Sequence, residues 1–144
     1  MDICLKGSRE GEKLLFHVLK AGDYDIDEGY PLTCEIIVDT AWCHVEKMRH
    51  YTYLYHFQYL RDELLKCFNT LNGETEYANW SDGSSDCEIV VRMTSRGHAT
   101  VTGKLWKYDS PNDELKFSME TDQSCFPELI SSVNALEQLL REER

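Results

Sequence analysis

Between Cys87 and Met119 the chain alternates apolar and polar side chains in three successive runs. Cys87, Ile89, Val91 and Met93 fall on one side, with Glu88, Arg92 and Thr94 mostly opposite. Ala99, Val101, Gly103 and Leu105 repeat the pattern, as do Leu115, Phe117 and Met119 against Glu114, Lys116, Ser118 and Glu120. Successive side chains of a strand point to opposite faces, so each run predicts a strand with one apolar and one solvated face. Ser95-Arg96-Gly97 and Asp109-Ser110-Pro111-Asn112-Asp113 supply turn residues between them, which makes the runs an antiparallel meander. The period then changes. Phe126, Leu129, Ile130, Val133, Leu136, Leu139 and Leu140 recur at helical spacing, with Asp122 or Ser124 able to cap and Pro127 tolerable in the first turn. Meander and helix each carry one apolar surface, and burying one on the other is the simplest packing.

The earlier half follows the same logic. Residues 2–6 and 12–20 form a hairpin through Gly7–Gly11, with Leu14, Phe16 and Val18 alternating. Leu15 and Leu19 are apolar too, so this strand is either covered on both sides or shifts register near its end. Leu32, Cys34, Ile36 and Val38 mark a further strand, and Trp42–His50 a more polar one. Phe57, Leu60, Leu64, Phe68 and Leu71 trace a helix face that Asn72-Gly73 ends. Glu74–Trp80 reads as a short strand and Ser81–Asp86 as a loop. Strands with helices segregated between them predict an α+β fold. We expect one domain over residues 1–144: a largely antiparallel twisted sheet of six to eight strands packed with two main helices, about 54–72 and 124–141. No repeat at a fixed period, low-complexity tract or linker interrupts it.

Composition adds direction. No apolar run approaches the ~20 residues of a membrane span, and Met1–Gly7 lacks the features of a signal peptide, so the expected location is cytoplasmic, away from membranes. The six cysteines contain no C-x-x-C pairing, and Cys34, Cys67 and Cys87 fall on apolar faces, which suits reduced core thiols. The formal charge of −11 opposes nucleic-acid binding, which rests on Lys and Arg, and steers toward a basic partner.

Candidate chemistry is sparse. Asp23, Asp25 and Asp27 alternate as in a calcium loop, but Glu28 stands where Gly is required and Cys34 where a bidentate Glu belongs. Nucleotide-binding loops and the G-x-S-x-G elbow are absent, so no cofactor is expected. His44, His50 and His56 are six apart, which suits neither one helix face nor a compact metal loop, so no metal site is expected. A small metal-independent nuclease would use two His and a Lys as acid, base and anchor, and His98, His44 and Lys104 can be assembled into such a set, which five histidines make easy to find by chance. Among Trp42, Trp80 and Trp106, Trp80 sits beside the polar 81–86 loop and suits an interface anchor.

The segment Arg96-Gly97-His98-Ala99-Thr100-Val101-Thr102-Gly103-Lys104-Leu105, followed by Thr121-Asp122-Gln123-Ser124, resembles the WapI-type immunity proteins. The likeness extends to the N-terminal hairpin, the Leu32–Val38 strand and the helix before Asn72-Gly73, and departs at Glu28–Leu32, where members place an Asn-Trp pair. The resemblance implies a small cytosolic protein without catalytic residues. It would bind and neutralise the cognate toxin domain of a contact-dependent or polymorphic toxin system. No toxin-contacting residue transfers by position.

Charge supplies the contact set. An acidic inhibitor matches the basic substrate channel of a nuclease toxin. Asp23, Asp25, Asp27, Glu28, Asp82 and Asp86, with Trp80 as anchor, are the expected toxin-binding residues. The alternatives are a hydrolase or nuclease built on His98 and His44, and a structural adaptor.

Overall fold

The computed structural model describes residues 1–80, 85–107 and 110–143. The first half contains strands β1 (Asp2–Lys6), β2 (Lys13–Ala21), β3 (Pro31–Asp39) and β4 (His44–Tyr53), then helix α1 (Leu54–Thr70). The second contains β5 (Glu74–Ala78), β6 (Cys87–Met93), β7 (His98–Lys107) and β8 (Ser110–Asp122), then a 3-10 turn (Gln123–Cys125) and helix α2 (Phe126–Glu143). The α+β class, the antiparallel pairing and the two helices are as expected. The strands, however, divide into two four-stranded meanders, ordered β1-β2-β3-β4 and β5-β6-β7-β8.

Local chemistry explains several junctions. Arg96 and Gly97 both have positive φ (55° and 80°), and the His98 N–H donates to the Ser95 carbonyl at 3.0 Å. This is the tight turn whose twist matches the flanking strands. In β2 the pairing with β3 shifts between Val18 and Lys20, which leaves Leu19 exposed. The register shift, one of two readings open from sequence, is therefore real. At the end of α1 the left-handed cap is Leu71 (φ 56°), whose N–H donates to the Cys67 carbonyl at 2.8 Å. The cap comes two residues before the expected Gly73, because Cys67 takes the buried position and Leu71 turns outward. Asp122 accepts from the Ser124 N–H at 2.8 Å and opens the turn before α2. The expected turn at Asp109–Asp113 lies partly outside the described residues, and β8 already begins at Ser110.

One apolar cluster draws on both sheets and both helices. At its centre Phe16 of β2 lies 5.1 Å from Phe57 of α1 and 5.0 Å from Tyr77 of β5, ring to ring, while Phe57 and Tyr77 stack at 5.2 Å. Each helix crosses to the other half: α1 packs on β5, α2 packs on β1, and the helices meet each other. The apolar face of the β5–β8 meander is thus not hidden by its own helix alone, since Leu5, Leu14 and Phe16 of the first sheet come up against Ile89, Val91 and Tyr77. Each large side chain buried this way stabilises the fold by about 2 kcal/mol.

The two halves repeat one burial pattern. Adding 69 to any residue number from Arg49 to Thr70 reaches a residue of the same burial class, except at Leu54/Gln123 and Gln58/Pro127. Only Thr52/Thr121, Phe57/Phe126 and Leu60/Leu129 are identical in this stretch. Two ββββα units with exchanged helices therefore share a burial pattern that has almost no identity at the level of letters.

Candidate protein-binding surface

β4 is an edge strand of the first sheet, and the features of interest lie along it. Its alternation sends Met48, His50 and Thr52 inward and Arg49, Tyr51 and Tyr53 outward. On the inner side His50 is fully buried. Its Nδ1 lies 2.8 Å from Asp86 and its Nε2 2.6 Å from the Tyr77 hydroxyl. Both ring nitrogens of His50 are thus partnered, one facing the Asp86 carboxylate and the other the Tyr77 hydroxyl. Thr52 Oγ1 lies 3.0 Å from the same hydroxyl. Asn79 Nδ2 donates to Asp86 (2.8 Å) and to the Tyr51 carbonyl (2.8 Å), and Asn79 Oδ1 accepts from the Asp86 N–H (3.1 Å). The network ties the exposed edge of β4 to the chain between β5 and β6. Burial raises the Tyr77 phenol well above its ordinary range, so it stays protonated. These groups are paired and enclosed, so they position backbone.

Above the network a cleft of about 1100 Å³ opens between β4 and the β7–β8 hairpin. Val45, Met48, Leu105, Trp106 and Leu115 give it apolar walls, and Lys47, Arg49, Asp113 and Glu114 line it with mixed charge. A smaller hollow of about 320 Å³ on the outer side of the sheet is lined by Lys20, Pro31, Thr33, Tyr51, Tyr53 and Asn79. Tyr51 and Asn79 border both.

The expected site residues separate into groups. Asp23, Asp25, Asp27 and Glu28 are exposed on the connector between β2 and β3. Asp25 is also spent on the connector's own shape, accepting from the Asp27 and Glu28 N–H groups at 2.8 and 3.0 Å. The connector is pinned to the start of α1, where the Leu54 N–H donates to the Tyr30 carbonyl at 2.9 Å, and to the end of α2, where the Tyr30 hydroxyl donates to the Leu140 carbonyl at 3.1 Å. Trp80 is half exposed, next to Asn79. Asp86 is mostly enclosed, beneath the cleft, held by His50 and Asn79. Asp82 lies outside the described residues.

Sequence reasoning missed the tyrosines. Tyr51 is 64 % exposed, Tyr59 57 % and Tyr55 42 %. Tyr53 and Tyr55 stack at 5.7 Å with ring planes 12° apart. Burial, and then the neighbouring Glu28 carboxylate, raise the Tyr55 phenol above its ordinary value, which places the connector beside this strip. The signal was the spacing: Tyr at 51, 53 and 55, alternate positions of a strand running into a helix, then one helical turn on at 59.

The three groups of the alternative nuclease set are not drawn into one cluster: His98 and Lys104 lie six residues apart along β7. His44 pairs with Asp39 in its own hairpin, Lys104 lies 3.7 Å from Glu114, and His98 is exposed at the start of β7. The described residues contain no group of three or more His, Cys, Asp and Glu able to hold a metal ion. No described helix is long and apolar enough to cross a membrane.

Enclosed, paired polar groups beneath exposed aromatic and acidic ones suit recognition rather than bond-making. The comparison with known families is specific. A model of the immunity protein WapI-like family matches residues 4–140, and the chain belongs to that family. No curated protein and no solved structure matches it. Family membership points to toxin immunity, to a cognate toxin protein as the binding partner and to a non-enzymatic role.

Proposed function

We propose that this protein binds its cognate toxin domain in the cytoplasm and neutralises it by covering the toxin's active site. The observation that carries this is the family match over residues 4–140. The formal charge of −11 supports a basic partner, and a nuclease, which needs positive charge along its substrate channel, is the toxin class it fits. Between Lys20 and Lys47 the chain has seven carboxylates and neither Lys nor Arg. This stretch includes Asp23, Asp25, Asp27 and Glu28, which supply long-range attraction; Asp82 adds a further carboxylate in the sequence, and Asp86 holds Trp80's neighbour Asn79 in place.

The test is co-expression with the toxin domain encoded beside this gene. Growth should be restored, and the two proteins should co-elute on size exclusion. Continued toxicity with no complex refutes the reading. Within the complex, replacing Asp23, Asp25 and Asp27 by Lys should slow association about tenfold at low salt and flatten its salt dependence. An unchanged rate would place the electrostatic face elsewhere.

A further inference from the structure

The repeated burial pattern supplies a built-in control for what the frame requires. Tyr51, Tyr53, Tyr55 and Tyr59 in the first half occupy the positions of Glu120, Asp122, Ser124 and Glu128 in the second, each with the same burial class. The second half thus fills the same exposed or half-exposed positions with acids and a serine, of which Asp122 and Ser124 shape the turn before α2 and Glu128 pairs with Lys6 at 3.3 Å. The shared frame therefore does not require tyrosine at these four positions. The strip is continuous: Tyr51 and Tyr53 share the outer face of β4, Tyr53 stacks on Tyr55, and Tyr59 lies one turn further along α1. Asn79 grips the Tyr51 carbonyl at 2.8 Å, which brings the exposed Trp80 next to the strip's lower end. The connector lies against its middle, through the 2.9 Å bond from Leu54 to Tyr30. Aromatic side chains on a rigid backbone bring large contact area at low entropic cost, which is why Tyr and Trp anchor protein interfaces.

We infer that Tyr51, Tyr53, Tyr55 and Tyr59 are the apolar anchor of the toxin-binding surface, and that they seat a basic protein face drawn in by the acidic connector. Charge complementarity selects that occupant: the adjoining stretch from residue 21 to 46 holds seven carboxylates and no Lys or Arg. The tyrosines supply the desolvated centre and the carboxylates the rim, the division that tight interfaces show. The inference rests on the neutralising role proposed above.

The experiment transplants the second half's own residues. Tyr51→Glu and Tyr59→Glu, matching Glu120 and Glu128, should leave the thermal midpoint unchanged, because the equivalent positions already tolerate Glu. Calorimetric affinity for the neighbouring toxin domain should fall about 100-fold in the double variant. It should fall although two negative charges have been added toward a basic partner, an effect that electrostatics alone would reverse. Trp42→Ala, at the 98 % exposed Trp42 in the β3–β4 turn, should bind as the parent does. A double variant that folds normally and binds within about twofold of the parent overturns the inference. So does loss of binding in Trp106→Ala with the tyrosine variants intact, which would move docking to the cleft. If the parent protein itself fails to bind, the neutralising role falls and the anchor assignment with it. That outcome is separable from the others because it appears before any substitution is made.

Discussion

From Arg49 to Thr70 and from Ser118 to Leu139 the two halves follow one course, edge strand into helix, with burial agreeing at nearly every position. The cross-strand pairs correspond as well. Leu32–Thr52, Cys34–His50 and Ile36–Met48 in the first sheet match Ala99–Thr121, Val101–Met119 and Gly103–Phe117 in the second. The halves differ in what they add. Where the second joins its middle strands by the tight Ser95–His98 turn, the first inserts the acidic connector. Where the second shows Glu and Ser outside, the first shows tyrosine; and where the second buries Met119, the first buries His50. A repeated frame has equal folding requirements in each copy, so asymmetry between equivalent positions separates what packing demands from what it merely permits. The connector and the tyrosine strip fall in the permitted class, on adjacent surface.

The largest test of this comparison is at His50. Its apolar counterpart Met119 needs no partner, whereas His50 satisfies both Asp86 and Tyr77. His50→Ala leaves a cavity and two enclosed polar groups short of a partner, and should cost about 3–5 kcal/mol in urea unfolding. His50→Met, which copies the second half, refills the volume and should recover only part of that. Full recovery would mean that the network adds nothing to stability and that the halves differ there only in letter.

Much of the frame was legible in the sequence, because burial alternates cleanly in Cys87–Met93 and Leu32–Val38 and with helical period in both helices. The repeated burial pattern was not. The correspondence is one of burial class, with identity only at Thr52, Phe57 and Leu60 and their counterparts, so comparison of letters does not find it. His50 and Asp86 were misleading for a related reason. In sequence, His50 closes the polar run Lys47–His50 and Asp86 ends a hydrophilic loop. Pairing with each other, and with Tyr77 and Asn79, makes burial tolerable for both. The exposed tyrosines escaped because they straddle the point where period 2 becomes period 3.6, so neither pattern alone collects Tyr51, Tyr53, Tyr55 and Tyr59 on one surface.

A smaller effect is expected at Gly103, the counterpart of Ile36. Here the second half pairs the smallest residue with a large one: a Cβ on Gly103 would sit 2.3 Å from Phe117 Cζ and 2.9 Å from Ile89 Cδ1. Gly103→Ala should therefore cost about 1–3 kcal/mol by overpacking. Adding Phe117→Met, which recreates the Met48 of the first half, should recover most of it. A positive coupling energy in that double-mutant cycle would show that the two sheets solve one packing problem with different volume pairs. Independent, additive costs would break the correspondence at this rung of the ladder.

The smallest and most conditional difference lies at His56, whose counterpart is Cys125; both are half-buried. His56 Nε2 is buried without a hydrogen-bond partner, and the ring lies 4.2 Å from that of Tyr55. Burial, with help from neighbouring His50, lowers its pKa from 6.5 to about 4. The unfolded chain therefore takes up a proton near pH 6.5, and the folded chain does not until about pH 4. Through that window the unfolded state binds more protons, so stability falls as pH falls. Between about pH 7 and about pH 5 this one site should remove about 1–2 kcal/mol. His56→Cys, the residue of the second half, deletes the titration while keeping a half-buried side chain. The difference in urea midpoint between parent and variant should therefore narrow or reverse on acidification. Parallel pH profiles would mean that His56 is hydrated at its orphan nitrogen in the folded state. The first half would then carry no acid-sensitive position on its α1 face that the second half lacks.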